Sequence, residues 1–179
     1  MPAFIIGISG GSCSGKTTLA ERLGALFVGR AKVIHLDRYY KSPPLQTVAP
    51  ITRREYAEHN HPDCMDLPKI LRDVDAAAAT HEVVVVEGLF ALYFEKLRER
   101  LNLKVFVDLQ SDERLYRRIK RWLNKQSMEE IADRFLDTVR YRHDEFIEPM
   151  RWHADLVLNG TLDSHRGVDV IKRYVEQFL

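Results

Sequence analysis

The eight residues Gly10-Gly11-Ser12-Cys13-Ser14-Gly15-Lys16-Thr17 lie between two contrasting stretches. Before them, Ala3 to Ser9 is short, β-branched and apolar, as a buried strand is. After them, Thr17-Thr18-Leu19-Ala20-Glu21-Arg22-Leu23 spaces Leu and Ala as a helix does. Strand, loop and helix in that order, with the spacing G-x-x-x-x-G-K-[ST], make a backbone cradle for a polyphosphate. The glycines let N–H groups turn inward, and the helix beginning near Lys16 adds its positive dipole end. Lys16 can neutralise β/γ oxygens, and the Thr17 hydroxyl can ligate Mg²⁺. A ligand-free glycine turn is the plain alternative, and the coincidence of motif and context argues against it. The expected nucleotide-binding set is Gly10, Gly11, Ser12, Cys13, Ser14, Gly15, Lys16, Thr17 and Thr18.

Further strands are expected at Lys32 to Leu36, Glu82 to Val86, Lys104 to Leu109 and Leu156 to Leu158. Between them, Asp66 to Ala79 keeps an i, i+3, i+4 rhythm, with Pro68 in its first turn. Ala91 to Leu101 reads as a helix, Ser111-Asp112-Glu113 opens a basic one that runs to about Lys125, and Val168 to Phe178 forms the last. Ser127 caps another that runs through Phe146, until Pro149 stops it. The stretch through Pro43-Pro44 and Pro50 reads as the longest irregular segment. Apolar strands alternating with helices indicate an α/β fold with a mainly parallel sheet covered on both faces.

A length of 179 residues fits one ordinary domain over 1–179. With 45% hydrophobic and 30% charged residues the chain is globular rather than disordered. A net charge of +1 lacks the basic excess of a dedicated nucleic-acid binder. Val83 to Val86 is far too short to span a bilayer, and no basic leader precedes the first strand, so the expectation is a cytoplasmic protein without membrane or nucleic-acid partners. Two cysteines, Cys13 and Cys64, make neither a disulfide framework nor a zinc site, and both are expected to be free thiols.

Two carboxylates stand at strand ends. Val83 to Val86 runs into Glu87-Gly88, and ligands of open α/β sheets sit beyond such ends, so Glu87 is a candidate for the metal alongside Thr17. His35-Leu36-Asp37-Arg38-Tyr39-Tyr40-Lys41 places Asp37 where it could take the proton of an attacking hydroxyl. Arg117, Arg118 and Arg121 belong to a basic helical run whose plain reading is a solvated face. Beside a phosphate loop they suit a lid. Tyr39, Trp122 and Trp152 are expected as packing residues, and Leu92, Phe94 and Leu97 as core.

With Asn60-His61-Pro62-Asp63-Cys64-Met65-Asp66, Val86-Glu87-Gly88, Phe106-Val107-Asp108, Arg117-Arg118-Ile119-Lys120-Arg121 and Phe146-Ile147-Glu148-Pro149, the chain resembles the uridine kinase family, within the uridine kinase and phosphoribulokinase group, over about residues 4 to 160. The resemblance implies a P-loop kinase with a parallel five-stranded sheet, helices on both faces and a short basic lid at about 117–130. It implies transfer of the γ-phosphoryl group of ATP or GTP, with Mg²⁺, to a nucleoside 5′-hydroxyl. Lys16, Asp37 and Arg118 are then catalytic, with Asp37 the base. Arg117 and Arg121 join the nucleotide set, Asp37, Tyr40, Asn60 and His61 meet the acceptor, Thr17 and Glu87 serve the metal, and Asn159-Gly160 lies near the nucleotide base.

The acceptor half departs from the family. The insertion whose hairpin recognises the pyrimidine is absent between Asp73 to Thr80 and Glu82, Asn60 replaces the usual acid before His61-Pro62, and the lid after Arg121 is about two residues shorter. A kinase for another riboside or alcohol, such as nicotinamide riboside or a pantothenate-like compound, therefore stays open. So do a nucleotide-dependent switch with no small acceptor, and a homo-oligomer. Selectivity for uridine and cytidine would require another segment, such as Ser42 to Tyr56, to replace the hairpin.

Overall fold

A computed structural model describes residues 2–161 and 165–179. In chain order the elements are β1 (Phe4–Gly10), α1 (Lys16–Leu26), β2 (Ala31–His35), β3 (Gln46–Val48), β4 (Glu55–Ala57), α2 (Leu67–Ala78), β5 (Val83–Glu87), α3 (Glu95–Arg98), β6 (Leu103–Asp108), α4 (Ser111–Trp122), α5 (Met128–Arg134), α6 (Arg140–Arg142), β7 (Leu156–Asn159) and α7 (His165–Val175). Five strands form one parallel sheet in the order β2-β5-β1-β6-β7. Among the described residues no helix is long and apolar enough to cross a membrane.

The continuous apolar runs of β1 and β5 follow from burial on both faces. Alternate residues point to opposite sides, so Ile5, Val84, Val86 and Phe106 meet Ile70 and Val74 of α2 on one face. Ile6, Ile8, Val83, Val85 and Val105 meet Leu19 and Leu23 of α1 and Ile171 of α7 on the other. The register fixes which residues stand side by side at the carboxyl edge. Ile8 and His35 both pair with Glu87, so the phosphate loop, the Glu87 carboxylate and the segment bearing Asp37 emerge together there.

Several elements differ from expectation. The proline-rich stretch contains the antiparallel hairpin β3–β4, with Gln46 opposite Ala57 and Val48 opposite Glu55. Its three-residue strands are too short for an alternation pattern to show in sequence. Ala91 to Leu101 is helical only over α3, because Phe90, Ala91 and Leu92 are packed in the core as a turn. Ser127 does cap a helix, in a reciprocal capping box with Glu130. That helix widens into π turns at Phe135–Val139 and His143–Ile147, and Glu148–His153 finishes it as a 3₁₀ turn that accommodates Pro149 in its first turn. Trp152 is no packing anchor, being 87% exposed, and Phe94 is only partly buried against the core that Leu92 and Leu97 enter.

Candidate active site

β1 ends in a turn that only glycine allows. Gly10 has φ 149°, and a Cβ there would stand 2.4 Å from the Val107 carbonyl oxygen and 2.8 Å from Ser14 Oγ. Gly15, at φ 104°, opens α1 with no side-chain cap. The first N–H groups of α1 are thus left to an anion. Inside the cradle, Ser14 N donates to Gly11 O at 3.1 Å, while the buried Ser14 hydroxyl has no hydrogen-bond partner among the described residues. Lys16 is buried as well, its Nζ resting on the Gly11 carbonyl at 3.3 Å. A buried ammonium on a neutral carbonyl gains from an entering phosphate the charge compensation it lacks.

Thr17 projects from the first turn of α1 toward β5 and donates its hydroxyl to Glu87 Oε2 at 3.2 Å. The other carboxylate oxygen lies 2.7 Å from His35 Nδ1, and Glu87 is buried. A hydroxyl and a carboxylate are hard oxygen donors, the chemistry that suits Mg²⁺. Among the described residues no cluster of three His, Cys, Asp or Glu could hold a metal. Two protein oxygens beside a phosphate cradle fit a cation that keeps waters and takes its remaining ligands from phosphate.

Of the residues that the resemblance assigns to an acceptor, three share one cleft. Lys16, Asp37, Tyr40, His59, Asn60, Leu89, Arg118, Trp122, Gln126 and Arg134 line a space of about 270 Å³. Asp37 is exposed at its edge, in the 3₁₀ turn Leu36–Tyr39 that follows β2. The Tyr40 hydroxyl donates to the His59 carbonyl at 2.9 Å. Burial, then the nearby Asp37 carboxylate, pushes its pKa well up and keeps the phenol neutral. Asn60 lines the cleft, its N–H held by buried Glu58 at 2.7 Å. His61 does not: its Nδ1 accepts from Asp63 N at 3.2 Å, and its ring meets Phe146 edge-on at 4.6 Å.

The three arginines separate. Arg118 enters the cleft, stacked 4.7 Å over Trp122, with NH1 donating to Ser12 Oγ at 3.2 Å. Its buried Nε has no hydrogen-bond partner among the described residues, and burial lowers the guanidinium pKa. Arg117 points elsewhere, pairing with Glu113 and lining a second space of about 210 Å³ with Ser14, Gly15, Thr18, Asn159 and Gly160. Arg121 lies at the surface over Trp122 and lines neither space.

Three contributors were not singled out by residue type and spacing. Arg114, 2% exposed, packs under Gly11, its Nε on the Leu109 carbonyl at 3.0 Å and its NH1 without a hydrogen-bond partner among the described residues. Burial pushes its pKa down. The i, i+3, i+4 position it shares with Arg117 and Arg118 was a signal, but that basic run was read as a lid beside the phosphate loop and not as a support beneath it. Arg134 donates to the Ala57 carbonyl at 2.8 Å and reaches His59 Nδ1 at 3.2 Å. His35 was legible only through the register of β2 on β5.

Comparison with known proteins gives the same reading of the chain. Residues 44–164 match the model of the phosphoribulokinase/uridine kinase family. The uridine kinase of Deinococcus deserti is 35% identical over 182 residues, covering 87% of this chain and 86% of that protein. The uridine kinase of Chloroflexus aggregans is 31% identical over 204 positions, covering 98% and 96%. That span exceeds the 179 residues present here, so the relative carries residues with no counterpart in this chain. Among solved structures, a fructose transport system kinase, titled putative, from Silicibacter superposes with a TM-score of 0.65 at 18% identity, covering 87% and 89%. With this fold, this phosphate loop and relatives of this similarity along nearly its whole length, the chain belongs to the phosphoribulokinase/uridine kinase family and is a P-loop kinase.

Proposed function

We propose that this kinase moves the γ-phosphoryl group of ATP or GTP to a hydroxyl of a small metabolite, with a nucleoside 5′-hydroxyl as the leading acceptor. The observation that carries the reading is the shared cleft. It puts a carboxylate (Asp37) on the same walls as two cations (Lys16, Arg118) and a set of side chains able to bind an acceptor (Tyr40, His59, Asn60, Arg134). A nucleotide switch orients water and needs no such acceptor wall.

In this reading Asp37 accepts the proton of the attacking hydroxyl while Lys16 and Arg118 balance charge on the transferring phosphoryl oxygens. Thr17 and Glu87 would hold Mg²⁺, which when bound would supply positive charge to the transferring phosphoryl group. The 210 Å³ space beside Thr18, Arg117, Asn159 and Gly160 receives the nucleotide base. Residues 117–130, the end of α4 and the turn into α5, act as the lid, and Trp122 and Gln126 carry acceptor contacts on it.

The second reading, a riboside of another base, is favoured by the residues that the Chloroflexus relative has and this chain lacks. A coupled assay of ADP release across uridine, cytidine, adenosine, nicotinamide riboside and pantothenate tests both. Turnover with the pyrimidine nucleosides supports the first, and turnover with another riboside alone supports the second. ATP hydrolysis indifferent to every acceptor sinks both and leaves the switch.

A further inference from the structure

His35 is the last residue of β2, and the parallel register sets it beside Glu87, the last residue of β5. Neighbours in register send their side chains to the same face, which here is the face toward the phosphate loop. The result is a chain of three groups from three elements. The Thr17 hydroxyl of α1 donates to Glu87 Oε2 at 3.2 Å, and His35 Nδ1 stands 2.7 Å from Oε1. A carboxylate only accepts, so Nδ1 carries the proton in this contact. Each oxygen of a buried carboxylate is thus engaged by a different element, one from the loop side and one from the edge strand.

We propose that His35 is a positioning residue for the divalent-cation site, acting through Glu87. Without a donor at Oε1, the Glu87 side chain is free to rotate about its last torsions, because Thr17 holds it through one oxygen alone. With the donor in place the carboxylate plane is fixed, and Oε2 stays beside the Thr17 hydroxyl at the mouth of the cradle. Partners that orient ligating side chains in this way commonly change metal affinity or activity about 10–100-fold when removed. The plain alternative is that the contact merely fastens the edge strand β2 to β5. The two differ in what they predict for the cation. A fastening contact changes stability and leaves cation affinity alone, whereas a positioning contact changes affinity in the folded protein.

This inference rests on reading Thr17 and Glu87 as the cation site, and the test separates the two. The full chain and its His35→Ala, His35→Asn and Glu87→Gln variants are titrated with Mn²⁺ in the presence of ADP. Bound Mn²⁺ is followed by electron paramagnetic resonance, and ADP affinity without divalent cation is measured in parallel. The expected result for His35→Ala is Mn²⁺ binding weakened on the order of 10-fold or more, with cation-free ADP affinity unchanged. Turnover should need correspondingly more free Mg²⁺ at saturating nucleotide. His35→Asn, whose amide N–H can stand where Nδ1 stood, should recover most of the affinity. Wild-type Mn²⁺ binding by His35→Ala, whatever its stability, overturns the proposal, and so does His35→Asn as weak as His35→Ala. If His35→Ala does not fold, His35→Gln, whose donor sits one methylene further out, replaces it in the same comparison. Glu87→Gln binding Mn²⁺ like the wild type overturns the cation-site reading itself. Weakened binding in Glu87→Gln together with wild-type binding in His35→Ala overturns only the role of His35.

Discussion

Tyr56 of the β3–β4 hairpin donates its hydroxyl to Asp137 Oδ2 at 2.7 Å, across 81 positions of sequence. The same oxygen accepts from Thr52 at 2.8 Å, and Asp137 sits in the π turn that continues α5. Nearby, Arg54 pairs with Asp133, and Arg134 donates to the Ala57 carbonyl at 2.8 Å. The hairpin is therefore fastened to the helix that supplies Arg134 to the cleft proposed to take the acceptor. Asp137→Ala leaves two hydroxyls without their acceptor, at about 1 kcal/mol for each hydrogen bond. The expected outcome is a lower urea midpoint and a raised KM for the acceptor, with KM for ATP unchanged. Equal effects on both KM values would mean that the hairpin does not serve the acceptor side.

Lys16 and Asp37 face the same cleft but should fail differently. Lys16→Ala should abolish turnover with an unchanged circular dichroism spectrum, since the charge beside the β/γ oxygens is gone. Asp37→Asn should keep nucleotide binding and lose about 10²–10⁴ in transfer rate, as expected for removal of a general base. Single-turnover kinetics with calorimetric ATP binding resolves the pair. Normal transfer by Asp37→Asn would remove the base from the mechanism.

Cys13 has a positive φ of 64° at the tip of the phosphate loop and is partly exposed, whereas Cys64 is buried and donates its Sγ to the Glu58 carbonyl at 3.3 Å. Burial pushes the Cys64 thiol pKa up, which slows it further as a nucleophile. Iodoacetamide should label Cys13 first, Mg²⁺-ATP should slow that labelling, and Cys13→Ala should remain active. Peptide mass spectrometry reads each site separately. Equal labelling of Cys13 with and without bound ATP would place its side chain away from the phosphates.

His143, in the second π turn, is buried, with Nε2 3.4 Å from Glu148 and Nδ1 without a hydrogen-bond partner among the described residues. Burial, followed by the Arg114 cation, holds its pKa down at about 4 against an ordinary 6.5. Between those values the unfolded chain binds more protons than the folded one, so stability is fully present above the ordinary value and falls as pH falls through the window. From pH 7 to 5 the loss from this group is about 2 kcal/mol. His143→Gln should show a smaller drop in urea midpoint between those two pH values. A drop as large as the wild type's would assign the acid sensitivity to other groups.

The phosphate loop was legible because its constraints are local. Gly10 and Gly15 answer to backbone torsions within eight residues, and Lys16 and Thr17 are carried by the helix that the loop itself starts. The central strands β1 and β5 were legible because burial on both faces writes an unbroken apolar run. The hairpin was not, since strands of three residues around Pro50 show no period. Nor was the form of the helix after Ser127, where π turns re-aim Asp137 and His143 without changing the composition.

Sequence alone thus determined the phosphate-loop motif and the α/β class, which depend on neighbours in the chain, and the kinase family, which rests on short motifs spread along it. Tertiary structure decided which distant groups meet. It carried Arg118 into the cleft and left Arg121 outside, turned His61 to Phe146 rather than into that cleft, and drew Arg114 beneath Gly11. It also set His35 against Glu87. The physical reason is that strand register and helix rotation follow from filling the two faces of the sheet as a whole. A single shift of register by one residue would send His35 to the opposite face from Glu87, and no stretch of local sequence records that choice.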